Sequence, residues 1–307
     1  MSELSHIFDQ MRASPMNDWV GGSDPELVGD ASIGILTRLL PLHNQSRILD
    51  FGCGIGRGLV SLWKAGVRPE QLIGMDIMPP VIDFCDQQIA PYLPGTKFEL
   101  ITGANHHYDA FIDRQAGKSQ SALSEQYRDN FTDAYAFSVF THVTQADFQS
   151  LLHFVSSMLR PGGRFMFTCF ELNDFSRHMV LSGQALFPLD PERMRRAGDV
   201  LTGNDADPLA FIAFDRALIQ KMVWNAGMAI TKVDYGCWMG GGLGGGLQDA
   251  IVCTKLPLLQ AVDQIQHTAL VARDAPATEP AAPIDLPQDS EAPSRFRKMM
   301  QHWRPRK

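Results

Sequence analysis

The sequence predicts an α/β fold in which helices pack on a mostly parallel sheet, and three observations carry that reading. Strand-like and helix-like segments alternate from about Ala31 to Lys255, the rhythm of βαβ units. No internal repeat interrupts it. Only "CWMGGGLGGGLQ" separates the last two strand candidates, which is too short for a helical crossover, so they should pair antiparallel as a hairpin.

The first strand is "RILDF", Arg47 to Phe51, where Leu49 and Phe51 mark a short buried run. Four glycines follow in "GCGIGRG", and they let the chain turn tightly and bring a ligand against bare backbone. "GLVSLWKAG" then opens a helix whose unpaired N-terminal amides face whatever sits above the strand. "QLIGMDI", "KFELI", "DAYAFSV", "RFMFTCF", "AITKVDYG" and "DAIVCTK" supply the remaining strands. Between the fourth and fifth, Phe148, Leu151, Leu152, Val155, Met158 and Leu159 recur at helical spacing. Thr144 with Asp147 resembles a capping box at the start of that helix, and Pro161-Gly162-Gly163 stops it. Two segments break the rhythm: "GANHHYDAFIDRQAGKSQSALSEQYRDNF" after strand three and "ELNDFSRHMVLSGQALFPLDPERMRRAGDVLTGNDADPLA" after strand five. Excursions of this length carry lids or binding loops, or are insertions with no role.

Composition narrows the class. At 307 residues with 45% hydrophobic content, the chain can bury a sizeable core. It has no run of about 20 apolar residues, and its first segment lacks the basic-then-apolar plan of a signal peptide, so the expected location is the cytoplasm. The five cysteines are scattered without the paired spacing of a zinc site, so they read as reduced core residues and no metal is expected. A net charge of −7 disfavours a general nucleic-acid binder. The expected organisation is a leader at 1–30, a body at 31–256, a short helix at 257–272, and a disordered linker with a basic tail at 273–307. That tail, "RFRKMMQHWRPRK", reads as solvated, with weak contact to an anionic membrane or a protein as the alternative.

Three ligand classes use a glycine turn above a first strand. A phosphate loop needs Lys-Ser or Lys-Thr after its last glycine, and Arg57-Gly58-Leu59 stands here instead. A dinucleotide turn wants glycine where Arg57 stands, which weakens that reading without excluding it. "LDFGCGIGR" resembles the first motif of the class I, Rossmann-like S-adenosylmethionine-dependent methyltransferases. Asp76 in "LIGMDIM" supplies an acid at the second strand end, suited to ribose hydroxyls. "DAYAFSVFTHV", "LRPGGRFMFT" and "QDAIVCTK" resemble, in order, the family's fourth strand, the loop into its fifth, and its last antiparallel strand.

The resemblance implies a seven-stranded, mostly parallel sheet with an antiparallel last strand and helices on both faces. It implies S-adenosyl-L-methionine as cofactor, with Asp50, Gly52, Gly54 and Arg57 around the glycine turn and Asp76 and Ile77 at the ribose. Ser138 lies beside the cofactor by the same resemblance, with Phe140 and His142 at the mouth of the site. Where the family often places Gly-Asp after strand three, this sequence has Gly103-Ala104-Asn105, so Asn105 or the backbone would meet the adenine. The Asn-Pro-Pro-aromatic motif of some amino-group methyltransferases is missing from "FSVFTH".

The expected acceptor is a small polar molecule, methylated on oxygen, such as a sugar, glycoconjugate or other metabolite. A hydroxyl acceptor needs a base, and His142 is the nearest candidate along the chain. His106, His107, Asp174, Arg177 and His178 lie in the excursions as further acceptor contacts. The competing readings are a non-catalytic cofactor-binding or interaction protein and a NAD(P)-dependent oxidoreductase.

Overall fold

A computed structural model of the chain describes residues 4–102, 117–187, 189–240 and 245–257. Three helices lead in: α1 (Ser5–Ala13), α2 (Met16–Trp19) and α3 (Pro25–Leu39). Asp24 caps α3 by accepting from the amides of Glu26 and Leu27, with Pro25 at the first helical position. Arg12 reaches across from α1 to Asp24 and Glu26, each at 2.8 Å, and so fixes the leader to α3.

There follow β1 (Arg47–Phe51), α4 (Arg57–Lys64), β2 (Gln71–Asp76), α5 (Pro79–Gln88), β3 (Thr96–Leu100), α6 (Gln120–Gln126), β4 (Phe131–Ala136), α7 (Gln145–Met158) and β5 (Leu159–Cys169). Then come β6 (Glu171–Leu172), α8 (Asp174–Leu181), α9 (Pro191–Arg196), β7 (Val200–Thr202), β8 (Ile212–Asp215), α10 (Arg216–Asn225), β9 (Met228–Asp234) and β10 (Asp249–Lys255).

The main sheet has the order β3-β2-β1-β4-β5-β10-β9. Its first five strands are parallel, and β10 runs antiparallel to both neighbours. This is the seven-stranded Rossmann-like arrangement, with the hairpin where the short glycine-rich connection required one. Alternate side chains along each strand feed two cores, as the pleat dictates. Leu49, Ile73, Ala134, Phe165 and Ile251 face α6, α7 and α10, whereas Ile48, Leu72, Tyr135, Met166 and Val252 face α1, α3, α4 and α5. Thr144 caps α7 by accepting from the Asp147 amide, and the Asp147 carboxylate accepts from the Thr144 hydroxyl rather than from the Thr144 amide, so this is a side-chain cap and not the reciprocal box the spacing suggested.

The second excursion is a folded unit. Its three short strands form a separate sheet, β6-β8-β7, over a core in which Phe170 stacks on Phe211 at 4.5 Å and meets Trp238 at 5.2 Å. Of the excursion after β3, residues 103–116, with Asn105, His106 and His107, lie outside the described residues, and its second half forms α6; the segment 258–307, with its expected helix and basic tail, also lies outside them. Cys53, Cys85, Cys169 and Cys253 are buried free thiols, and Cys237 is a half-buried one. No helix among the described residues is long and apolar enough to cross a membrane.

Candidate active site

The carboxyl ends of β1, β2 and β4 meet above the sheet, where the order reverses between β1 and β4. At the end of β1 the chain turns through Gly52 and Gly54, with φ of 77° and 52°. A side chain at Gly52 would overlap Val139, and one at Gly54 would press on Val20 of the leader at 3.2 Å. The turn is thus enclosed by two loops, and only glycine fits its backbone.

Two carboxylates lie beneath it. Asp50, 4% exposed, accepts a 2.8 Å hydrogen bond from the Tyr135 hydroxyl. Burial pushes its pKa up to about 7, against the Tyr135 bond, which lowers it. Asp76, 7% exposed, takes the Ile77 and Met78 amides on Oδ1 at 2.7 and 3.1 Å and the Gly54 amide on Oδ2 at 2.9 Å. Burial raises its pKa while those amides hold it down. A carboxylate offers about four acceptor positions, and three amides fill three of them. One place is left for a ligand hydroxyl.

The other expected residues fall as follows. Ile77 gives its amide to Asp76 and packs its side chain between the two cores. Arg57 begins α4 and donates Nη2 to the Val20 carbonyl at 2.7 Å, so its guanidinium holds the leader against the turn. Ser138 is exposed just past β4. His142 ends the same loop: its amide donates to the Val139 carbonyl, and its Nδ1 lies 2.8 Å from the Leu209 carbonyl in the excursion. Phe140, expected at the mouth, is instead fully buried in an edge-to-face contact with Phe148 at 4.5 Å, because the turn points it into the core. Arg177 pairs with Asp215 and the Gly198 carbonyl, which makes it a brace of the excursion. Asp174 and His178 are exposed on α8. Among the described residues no group of three His, Cys, Asp or Glu could hold a metal ion.

Sequence reasoning missed Tyr135, Val20, the Leu209 carbonyl, Thr168 and Gln248, all of which touch the expected residues. Each acts across strands or from a backbone group, where motif spacing carries no signal.

The family described as "Methyltransferase domain" matches residues 30–197, more than half of the chain. The chain belongs to that family. Solved structures resemble this methyltransferase at low identity. One is the putative methyltransferase in a complex with the Trm112 methyltransferase activator of Haloferax volcanii, 13% identical, covering 81% of this chain and 98% of that one at a TM-score of 0.50. A Burkholderia thailandensis 1,6-didemethyltoxoflavin-N1-methyltransferase, solved with S-adenosylhomocysteine, is 16% identical and covers 83% and 90% at 0.49. A SAM-dependent methyltransferase of Methanosarcina mazei is 18% identical and covers 72% and 97% at 0.47.

The methyl donor of this methyltransferase is S-adenosylmethionine. The donor set fits it. Two acids at adjacent strand ends, beside a turn that carries no side chain at Gly52 and Gly54, suit a ligand with an ammonium and ribose hydroxyls, and Arg57 stands where a dinucleotide turn would place a glycine.

Proposed function

We propose that the protein methylates an oxygen of a small polar acceptor, a sugar, sugar conjugate or similar hydroxylated metabolite, with His142 as general base. The observation that carries this is the 2.8 Å contact between His142 Nδ1 and the Leu209 carbonyl. A carbonyl oxygen only accepts, so Nδ1 carries the hydrogen and Nε2 is the basic nitrogen of the neutral ring. A histidine fixed in one tautomer by a backbone oxygen is prepared to take a proton, which a hydroxyl must lose and an already nucleophilic amine need not.

S-adenosylmethionine supplies an electrophilic methyl group when bound. The chain's own residues do the rest by position. Asp76 accepts one ribose hydroxyl in its fourth place, while Gly52 and Gly54 admit the ligand to the backbone. Asp50, Arg57, Ile77 and Ser138 line the remaining cofactor surface; Asn105, expected at the adenine, lies outside the described residues. Residues 31–256 form the catalytic body and the leader covers the glycine turn. The 137–142 loop supports the role of His142, because Val139 packs on Gly52 and so carries the histidine to the same strand ends.

The test is His142→Ala, assayed by formation of S-adenosylhomocysteine with a panel of hydroxylated metabolites. The expected result is a kcat lower by about 10²–10⁴ with S-adenosylhomocysteine affinity retained. A near-normal kcat would leave His142 as a hydrogen-bonding strut between loop and excursion.

A further inference from the structure

Ser138 has a left-handed backbone, φ 58°, and the only other non-glycine residue like it among the described residues is Asp129. Aspartate tolerates that region through its short polar side chain, whereas serine has less reason to be there. Something around Ser138 holds it.

Three hydrogen bonds close a ring about it. The Ser138 amide donates to Thr168 Oγ1 at 2.8 Å, the Thr168 hydroxyl donates to Gln248 Oε1 at 2.6 Å, and Gln248 Nε2 donates to Ser138 Oγ at 2.9 Å. Thr168 lies on β5 and Gln248 immediately precedes β10, so the ring ties the loop after β4 to two neighbouring strands. The next residue of that loop, Val139, fills the space above Gly52. A change at Ser138 is therefore passed directly to the glycine turn.

We infer that Gln248 and Thr168 are positioning residues for methyl transfer, which hold Ser138 in its left-handed conformation so that the 137–142 loop meets the cofactor in one geometry. This rests on the placement of Ser138 beside the cofactor proposed above. Without Gln248, the loop relaxes to a more ordinary backbone. The ligand then binds only the fraction of molecules that keep the strained form, and its apparent affinity falls by that fraction.

The test is a double-mutant cycle on S-adenosylhomocysteine affinity, read by calorimetry. Gln248→Ala in the otherwise unchanged protein should weaken binding about tenfold, the scale of strain at such a position. In a Ser138→Gly background the same change should cost less than about twofold, because glycine adopts this backbone unaided. In a Ser138→Ala background, where the strain remains but Gln248 acts only through the Thr168 hydroxyl, the cost should be smaller than in the unmutated protein yet larger than in the glycine background. An equal cost of Gln248→Ala in the glycine background, its disappearance in the alanine background, or unchanged affinity in the first variant would each overturn the inference.

Hydrogen exchange on the free protein separates this from the cofactor reading. Gln248→Ala should speed exchange of the Ser138 amide whether or not ligand binds, and unaltered exchange would overturn the ring. Failure of the unmutated protein to bind S-adenosylhomocysteine, with the exchange result intact, would overturn the cofactor placement and with it the positioning role.

Discussion

Asp76 and Asp249 are built alike and serve different purposes. Each is a buried carboxylate at one end of a strand, and each accepts from three N–H groups, one of them a glycine amide. Asp76 gathers Gly54, Ile77 and Met78, all at the carboxyl ends of β1 and β2. Asp249, 0% exposed, gathers the Glu171 and Gly236 amides and the Trp238 indole, each at 2.8 Å, and so joins the excursion and the hairpin to the main sheet. The difference lies in who else can reach the oxygens. Protein donors and the wall of Trp238 enclose Asp249, whereas Asp76 retains 7% exposure. With the ribose contact proposed above for Asp76, the same chemistry is a joint in one place and a receptor in the other.

The comparison would break most visibly at Asp249. Asp249→Ala leaves three buried donors without an acceptor, which should cost about 3 kcal/mol or more and lower Tm by on the order of 10 °C. S-adenosylhomocysteine affinity of the folded protein should stay within about twofold. Asp76→Ala should do the reverse, weakening that affinity by about 2–3 kcal/mol with a smaller loss of Tm, since water can reach the amides it frees. Calorimetry and thermal melts on both variants decide the matter, and a proportional loss in both observables for both residues would erase the distinction.

The two glycines sharpen it. A Cβ at Gly236 would run into the Leu247 carbonyl and Gln248 backbone, which cannot move aside, while one at Gly54 meets only the Val20 side chain. Gly54→Ala should cost about 1 kcal/mol of stability for its positive φ, and Gly236→Ala should cost more, by denaturant titration. Cofactor binding should suffer in the first variant and not in the second.

The smallest effect concerns pH. Burial pushes the folded pKa values of Asp50 and Asp249 up to about 7, well above the ordinary aspartate range near 3.8. The folded protein therefore keeps protons that the unfolded chain has released, and this contribution to stability declines as pH rises from about 4 to about 7. Asp50→Asn removes one of the two groups. Its Tm should fall less steeply across that window than the unmutated protein's, and an unchanged slope would show that Asp50 ionises as readily folded as unfolded.

The main sheet was legible because each of its strands is long enough to show an apolar run and each is punctuated by glycine, proline or an acid. The excursion was not. Its strands span two to four residues, too few for a period, and Phe170, Phe211 and Trp238 build their core from distant parts of the chain. Helix α10 did carry a signal, with Leu218, Ile219, Met222 and Val223 on one face, Asp215 as cap and Gly227 just beyond its end, but it sits directly behind the irregular stretch that hid it. At the site, the acids and glycines were readable from spacing. The partners of Asp50 and Ser138 were not, because Tyr135, Thr168 and Gln248 reach them through the folded sheet.

The place of β10 bears on how the chain is made. It is the last of the described strands to leave the ribosome, yet it slots between β5 and β9, pairing Thr168 with Ala250 and Val233 with Ile251. Until it emerges, the aromatic-rich β5 carries an open edge on that side, and Trp238 has no carboxylate to receive its indole. A nascent chain stalled before Asp249 therefore presents an unpaired, adhesive edge of β5 to its neighbours on a polysome.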